Sequence, residues 1–331
     1  MYELLGICLV LAALLTINAL ASLLAAGCWR LLERPLRNSP ARTRAEILFA
    51  LRVTPPALAL ISVGLFLIPS YIGYEPYATS EVVSTKLAML ATVSAVGVVF
   101  AMWRGFRSWF ATRSLVREWL ATAEKIRLDG ISTPTFRIRH PFPIIAVVGT
   151  IKPRLFVAEH VLQTLSEEEM KAAIAHECGH LAARDNLKRS LLRACRDALM
   201  IVPCGRSIDR AWSENSEAAA DEHAAGRGSA VALNLASALI EIARMVPAGA
   251  KASMPAGAFI LGDEQHGVMG RVNRLLTLAG AGGQQSKPIL ISWTEKIGLF
   301  LLLASLTLSL TNTHALASLH VAMERVVQAL T

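Results

Sequence analysis

The sequence predicts an α-helical membrane protein with four transmembrane helices and an inserted α+β, mainly helical, domain. Of the 331 residues, 53% are hydrophobic and only 18% are charged, which is too apolar for an average soluble domain. Uncharged apolar runs long enough to cross a bilayer lie towards both ends of the chain. Between them, a segment of ordinary globular composition contains His-Glu-Cys-Gly-His at His176 to His180.

The formal net charge of +8 is concentrated beside the apolar runs. Basic residues in that position suit anionic lipid headgroups, and the sequence lacks the mixture of aromatic and basic residues that is typical of RNA binders. We therefore expect the lipid bilayer as a partner and no direct binding of nucleic acid. The five cysteines are odd in number and divided between apolar runs and the central segment, which indicates a reducing compartment and no disulfide framework.

The first predicted span covers residues 4–29, an apolar run without a charged residue. Five arginines follow it between positions 30 and 44, whereas a signal peptide would carry its positive charge before the apolar run. By the positive-inside rule, the amino terminus then lies outside and the arginine-rich loop lies in the cytoplasm.

Residues 1–104 are predicted to contain two more spans, at 53–74 and 87–103. We expect Pro55 and Pro56 in the first turn of the second span, where a missing amide donor costs least. Residues 75–85, in the loop between these spans, include no Lys or Arg. Four arginines follow the third span, at Arg104, Arg107, Arg113 and Arg117. This asymmetry again assigns the basic side to the cytoplasm, in an inner membrane that the chain crosses several times.

The cytoplasmic domain is predicted at residues 105–293, which is long enough to bury a core. Hydrophobic periodicity predicts a helix at 115–128 and helices near 190–202 and 230–246, whose charged residues argue against further spans. Residues rich in β-branched side chains predict strands at 144–148 and 155–157.

The final segment, residues 294–331, contains the fourth predicted span at 297–319 and a short outer tail. Residues 247–262, rich in Gly, Ala and Pro, are expected to form a loop before it. No feature of the sequence specifies an oligomeric state.

His176 and His180 are four residues apart, so on a helix both imidazoles lie on one face and can bind one metal ion. Ser166, followed by three glutamates, predicts a capping box and a helix that begins near Glu167. Two His, a third protein ligand and an open position suit one Zn²⁺ per chain, with Glu177 beside it to take a proton from water. Cys178 points about 100° away from the His face and is expected to be a packing residue.

A second acidic helix supplies the candidates for the third ligand. Glu217 and Asp221 are one turn apart, and the three alanines between them permit close approach of another helix. We expect Glu217 on the metal and Asp221 hydrogen-bonded to a ligand His, with Glu214 as the alternative ligand.

Two further sets of residues are candidates for substrate contacts. Ile144, Ala146 and Val148 lie on a strand whose free edge would pair with an extended peptide, although a plain core hairpin explains the pattern equally well. His266 or Arg271 would bring a cation or imidazole near the cleft to stabilise an oxyanion, with solvated charge as the alternative.

In its central quarter the chain resembles the membrane metallopeptidases of the BlaR/MecR type. The matching motifs are Gly149-x-x-x-Pro153-Arg-Leu-Phe-Val, Leu165-Ser-Glu-Glu-Glu leading into His176-Glu-Cys-Gly-His180-Leu-Ala-Ala-Arg-Asp185, and Glu217-Ala-Ala-Ala-Asp221. The resemblance implies a gluzincin-like zinc metallopeptidase domain. It implies His176, His180 and Glu217 as zinc ligands and Glu177 as the base.

The resemblance also implies an endopeptidase that cleaves cytoplasmic proteins in regulated proteolysis or signalling, with a transcriptional repressor among its protein substrates. BlaR/MecR sensors carry a large penicillin-binding domain after their last span, and we expect no sensing through such a domain here. The HtpX and CAAX-prenyl endopeptidases share His-Glu-x-x-His and a downstream Glu-x-x-x-Asp. A membrane quality-control protease is therefore one alternative, and a non-catalytic membrane signalling scaffold is another.

Overall fold

The computed structural model describes residues 2–76, 83–128, 130–198, 205–246 and 265–280, with a few residues after 316. The first part of the chain is helical. Its elements are α1 (Tyr2–Leu32), a 3₁₀ turn (Pro35–Asn38), α2 (Ala41–Ser62), a π-helical turn (Val63–Leu67), α3 (Ile68–Tyr74) and α4 (Thr85–Thr122).

Among the described residues, three helical stretches are long and apolar enough to cross a membrane: Tyr2–Leu32, Ala41–Tyr74 and Thr85–Thr122. They contain the first three predicted spans and indicate a membrane protein. The fourth predicted span at 297–319 falls almost wholly outside the described residues, as does the loop predicted at 247–262.

The prediction that Pro55 and Pro56 lie in the first turn of a helix was wrong. Both prolines lie inside α2, which already begins at Ala41. Its first turn is stabilised from elsewhere in the chain, because the Glu222 carboxylate accepts a hydrogen bond from the Ala41 amide at 3.0 Å. A cap from a residue so distant in sequence leaves no local pattern. The arginine-rich segment was therefore predicted to be a loop.

The helix predicted at 115–128 was wrong at its carboxyl end. α4 runs through Gly105 without a break and ends at Thr122, and Glu124–Ile126 then forms strand β1. β1 pairs antiparallel with the strand at Thr135–Ile138, so a tertiary contact overrides the local helical periodicity.

In the part of the chain that the structure describes, the sheet has four strands, β1 (Glu124–Ile126), β2 (Thr135–Ile138), β3 (Ile145–Val148) and β4 (Arg154–Ala158), in the order β1-β2-β4-β3. β2 and β4 run parallel, and the other pairs are antiparallel. Gly149 allows the turn after β3, because its φ is +107° and a Cβ there would lie 2.8 Å from the Lys152 carbonyl oxygen. β3, one of the two predicted strands, stands at the end of the strand order and is therefore an edge strand among the described residues.

Six helices follow the sheet among the described residues: α5 (Glu159–Thr164), α6 (Glu167–Ala183), α7 (Asp185–Ala198), α8 (Gly205–Ala225), α9 (Ser229–Met245) and α10 (Gln265–Gly280). The main core lies where the inner faces of β3 and β4 meet α6, α9 and α10. Its fully buried side chains include Phe156, Ile174, Leu235, Leu239 and Leu275.

The amino-terminal half of α2 packs on the domain that follows the membrane helices. Leu48 is fully buried and belongs to a cluster with Leu192 of α7 and with Ile208 and Trp212 of α8. Arg52 of α2 pairs with Asp209 of α8 at 3.1 Å. One helix therefore extends from a buried cluster of the domain, separate from its main core, into the candidate membrane region.

Candidate active site

The helix that carries the central motif begins as predicted. The Ser166 hydroxyl accepts a hydrogen bond from the Glu169 amide at 3.3 Å, and the Glu169 carboxylate accepts one from the Ser166 amide at 2.9 Å. This capping box starts α6 at Glu167 and fixes its rotation. His176 and His180 consequently lie on one buried face of the helix.

Glu217 of α8 joins the two histidines. His176 Nε2 and His180 Nε2 are 3.2 Å apart, and the Glu217 oxygens lie 3.6 Å and 3.4 Å from them respectively. The three ligand atoms lie within 4.8 Å of one another. Glu214, the alternative ligand, has a side chain that is 71% exposed and lies 3.8 Å from Arg210, outside this group.

The donor set fits Zn²⁺. Both carboxylate oxygens of Glu217 are buried, and neither accepts a hydrogen bond from the described residues, although Arg271 Nη1 lies 3.1 Å from one of them. Arg271 balances the charge of this buried carboxylate, and a metal ion would use the oxygen lone pairs that remain without a donor. Two imidazoles and one carboxylate are the ligand set of a catalytic zinc that keeps one position open.

Each histidine is oriented by a second carboxylate on its Nδ1 atom. Asp221 Oδ1 lies 3.0 Å from His176 Nδ1, in the position predicted for it, and Asp185 Oδ2 lies 2.7 Å from His180 Nδ1. Both contacts favour the tautomer whose Nε2 is available to a metal. Each ligand histidine therefore has its own orienting aspartate.

Sequence reasoning assigned no role to Asp185. It becomes the first residue of α7 because Arg184 adopts a left-handed conformation, with φ of 55°, and turns the chain back towards His180. The Ser216 hydroxyl also donates to Asp185 at 2.8 Å. Burial disfavours its charge, but the hydrogen bond with His180 lowers the pKa of Asp185 below its usual value.

Two arginines of α10 hold Asp221. Arg271 donates to both of its oxygens, at 3.0 Å and 2.6 Å, and Arg274 donates at 2.7 Å. Burial opposes the charge of Asp221, but Arg271 keeps the pKa of that carboxyl well below its usual range. Arg271 therefore lies at the site because it pairs with Asp221 and Glu217. Its proposed role in stabilising an oxyanion stays a prediction. The side chain of His266 lies outside the described residues.

Glu177 lies beside the ligand group and is only 4% exposed. Its Oε2 accepts a hydrogen bond from the Val147 amide of β3 at 3.2 Å. Burial raises the pKa of Glu177 above its ordinary value, against the opposite effect of His180 and His176. A buried carboxylate of raised pKa beside a metal site is suited to accept and return a proton.

The free edge of β3 is defined by a different set of residues from the one predicted. The Ala158 amide donates to the Ile144 carbonyl at 2.8 Å, and backbone bonds alternate along an antiparallel pair. The backbone groups of Ile144, Ala146 and Val148 therefore face β4, and the prediction that these residues form the free edge was wrong. Because every residue of this strand is buried, its periodicity carried no information about which residues face the edge.

Ile145 and Val147 face the free edge of β3. The Val147 amide donates to Glu177, and its carbonyl accepts a hydrogen bond from the Asn186 side chain at 2.8 Å. Asn186, which follows Asp185 at the start of α7, was not singled out from the sequence. Its side chain ties the edge strand to the helix that orients His180.

Small residues bring the two ligand helices together. A Cβ at Gly179 would lie 3.0 Å from Ala220 Cα, so α6 and α8 are in backbone contact beside the site. Cys178 is half-buried, packs against the main core and takes no part in the ligand group. The alanines between Glu217 and Asp221 thus allow the carboxylates to reach the histidines.

A comparison with known families gives the class of this site. No curated protein matches the chain. The model of Peptidase family M48 matches residues 145–314, about half of the chain. The matched segment begins at β3 and includes Glu177, His176, His180 and Glu217. With the candidate metal site and the adjacent carboxylate both inside that segment, the chain belongs to Peptidase family M48, a family of metallopeptidases.

Proposed function

We propose that the protein is a membrane-embedded zinc endopeptidase that cleaves cytoplasmic proteins or cytoplasmic segments of membrane proteins. The observation that carries the proposal is the position of Glu177. Its carboxylate lies beside the His176, His180 and Glu217 group and is hydrogen-bonded to the edge strand. A proton acceptor, a metal site and a peptide-binding edge thus meet in one place.

Zinc held by His176, His180 and Glu217 would supply a polarised water and a Lewis acid for the scissile carbonyl. Glu177 uses Oε2 to accept the hydrogen bond from Val147, which leaves Oε1 for proton transfer. That oxygen takes a proton from the attacking water and returns it to the leaving amine nitrogen. Asp221 and Asp185 keep the two imidazoles in the orientation that the site requires.

The substrate class follows from the edge of β3. The alternation along β3 directs the N–H and C=O of Ile145 to this edge, where the residue is only 1% exposed, whereas the same groups of Val147 bond to Glu177 and Asn186. A chain that pairs with Ile145 must be extended, because strand pairing requires an extended backbone. We therefore propose unfolded segments and long loops as substrates, a class to which a transcriptional repressor with an exposed loop would belong.

The basic residues that flank the candidate spans support a cytoplasmic position for the domain and an outer position for the amino terminus. Cysteine labelling tests this topology in a background without the native cysteines. A reagent that cannot cross the membrane should label Thr85→Cys in intact cells and should miss Ile151→Cys, whose parent side chain is 88% exposed. Labelling of Ile151→Cys in intact cells would contradict the proposed orientation.

Regulated proteolysis of the BlaR/MecR type is the role we propose first, ahead of HtpX-like quality control. α8 carries Glu217 and Asp221 of the site and also contacts α2 through Glu222 and Asp209. A movement of α2 in the membrane would therefore be transmitted to the helix that supplies the third ligand. This coupling supports a protease whose activity responds to the membrane.

A matched pair of substrates tests the proposed activity. The purified full chain should cleave a reduced, carboxymethylated protein and leave the native form of that protein intact. A chelator should abolish cleavage and added zinc should restore it, while Glu177→Gln should be inactive throughout. Cleavage that survives the chelator would contradict a metallopeptidase mechanism, and equal cleavage of both forms would contradict the proposed substrate class.

A further inference from the structure

Two adjoining cavities lie between the candidate membrane helices and α7, apart from the ligand group. The larger has a volume of about 700 Å³ and is lined mainly by apolar side chains of α1, α2, α4 and α7. The smaller has a volume of about 220 Å³. Gly105, Trp109 and Ala194 line both cavities, so the two spaces meet at these residues.

The smaller cavity has the chemistry of a phosphate site. Arg104 of α4, whose guanidinium lies over Phe100, and Arg193 of α7 line it, and none of its described lining residues is Asp or Glu. Its walls also carry hydroxyl groups of Ser108 and Thr150, together with those of Thr112 and Ser190, which donate to the backbone carbonyls of Ser108 and Asn186. Guanidinium groups and hydroxyls together bind phosphate oxygens by charge and by hydrogen bonds.

The larger cavity has the chemistry of an acyl-chain site. Leu14, Val98 and Ala101 are among its lining residues and belong to the candidate spans. Its volume lies within the range of about 300 to 1,000 Å³ that small-molecule sites occupy. The apolar ligands that a bilayer supplies at this depth are lipid chains.

The position of the smaller cavity matches the headgroup level. Arg104 directly follows the third predicted span, and Trp103 and Trp109 beside it are about half exposed. Tryptophan and arginine are enriched where a helix leaves the hydrocarbon region. The apolar cavity therefore lies on the membrane side of the basic one, as the chain and phosphate of one lipid would require.

We propose that the two cavities together bind one anionic phospholipid, with an acyl chain in the larger cavity and the phosphate between Arg104 and Arg193. A free phosphate would fill only the smaller space, and a hydrocarbon would fill only the larger one. Because the two cavities meet at Gly105 and Ala194, a molecule that has both an acyl chain and a phosphate fits them best. This site is separate from the metal site, although α7 contributes to both.

Native mass spectrometry of the full chain, purified in detergent and delipidated, tests the headgroup part. The probes are phosphatidylglycerol and phosphatidylcholine with identical acyl chains. Wild-type protein should prefer phosphatidylglycerol, and Arg104→Gln with Arg193→Gln should weaken its binding by about fivefold for each arginine. The control is Arg107→Gln with Arg113→Gln, also on α4, whose guanidinium groups lie over Trp103 and Trp109 and line neither cavity.

Cavity filling tests the chain part. Ala101→Trp should reduce binding of both lipids, whereas Val99→Trp, at a position that is 65% exposed on the same helix, should not. Glycerol 3-phosphate, which has no chain, should fail to displace phosphatidylglycerol. Retention of zinc by every variant shows that each one is folded.

Three results would overturn the proposal. The first is equal binding of the two lipids by wild-type protein. The second is an equal loss in the Arg107 and Arg113 control, which would indicate general attraction to anionic surfaces. The third is displacement of the lipid by glycerol 3-phosphate, which would indicate a site for a small polar phosphate.

Discussion

The Glu177 carboxylate accepts a hydrogen bond from the backbone amide of Val147, with 3.2 Å between Glu177 Oε2 and Val147 N. This bond joins the proposed base to the strand proposed to bind the substrate. The register between the base and a paired peptide is therefore set by β3 and α6 together. Val147 cannot offer the same amide to a substrate while the bond persists.

Glu177→Gln should separate catalysis from metal binding. The glutamine oxygen can still accept the Val147 hydrogen bond, but the amide cannot take a proton from water. We expect the rate of peptide hydrolysis to fall by about 10² to 10⁴, the usual contribution of a general base, with about one zinc per chain retained. Elemental analysis and a peptide assay measure the two effects, and cleavage at the wild-type rate would refute this mechanism.

The third ligand is tested by two glutamates on the same helix. Glu217→Ala should lose both zinc and activity, because its carboxylate completes the ligand group. Glu214→Ala should retain both, because that side chain is largely exposed and lies near Arg210. Zinc content and hydrolysis rates of the two purified variants decide between them. Zinc loss in Glu214→Ala alone would mean that Glu214, and not Glu217, is the third ligand.

The orienting aspartates should differ in importance. Asp185→Ala should weaken zinc binding by about 10- to 100-fold, which is typical for the loss of such a partner. Asp221→Ala should weaken it more, because Arg274 would lose Asp221 and Arg271 would keep only Glu217, a proposed zinc ligand, as its carboxylate. Asp185→Asn should restore part of the affinity, since its carbonyl can still accept the hydrogen bond. Competition with a chelator measures each affinity, and wild-type affinity in Asp185→Ala would contradict its orienting role.

Gly179→Ala should destabilise the protein. The added Cβ would lie 3.0 Å from Ala220 Cα, so the ligand helices would have to separate, at a cost of about 1 to 3 kcal/mol. Gly270→Ala in α10 is the control, because nothing lies within 4 Å of its Cβ position and the change favours helix by about 1 kcal/mol. Thermal unfolding in detergent should shift in opposite directions for the two variants. A stabilised Gly179→Ala protein would contradict the close helix contact.

Local patterns in the sequence were sufficient for the ligand group. The start of α6, the spacing of His176 and His180, and the pairing of Glu217 with Asp221 depend on periodicity and capping within single helices. Each of these follows from rules that act over a few residues. The structure places His176, His180 and Glu217 close together, as these patterns predict, and their role as zinc ligands stays a prediction.

Tertiary contacts account for what the sequence did not reveal. Asp185 reaches His180 only because Arg184 turns the chain, and the Ala41 amide finds its acceptor in Glu222. Which residues of β3 face its free edge depends on how β3 pairs with β4. None of these contacts repeats with a helical or strand period, so no local pattern could predict them.

The hydrogen bond from the Ala41 amide to Glu222 also sets the distance between the zinc site and the membrane surface. Glu222 directly follows Asp221, so the start of α2 lies at the level of the ligand group. Val53, where the predicted span begins, lies twelve residue steps after Ala41 on the helix, a distance of about 18 Å. An extended substrate needs about five or six residues to cover that height.

Model substrates with one membrane anchor should show this length directly. When residues are inserted next to the anchor, the cleaved bond should stay at the same number of residues from the bilayer and fall on different side chains. Cleavage that follows the original sequence would contradict this expectation. A constant distance would mean that the length of α2 between the membrane surface and the zinc site selects the bond that is cleaved.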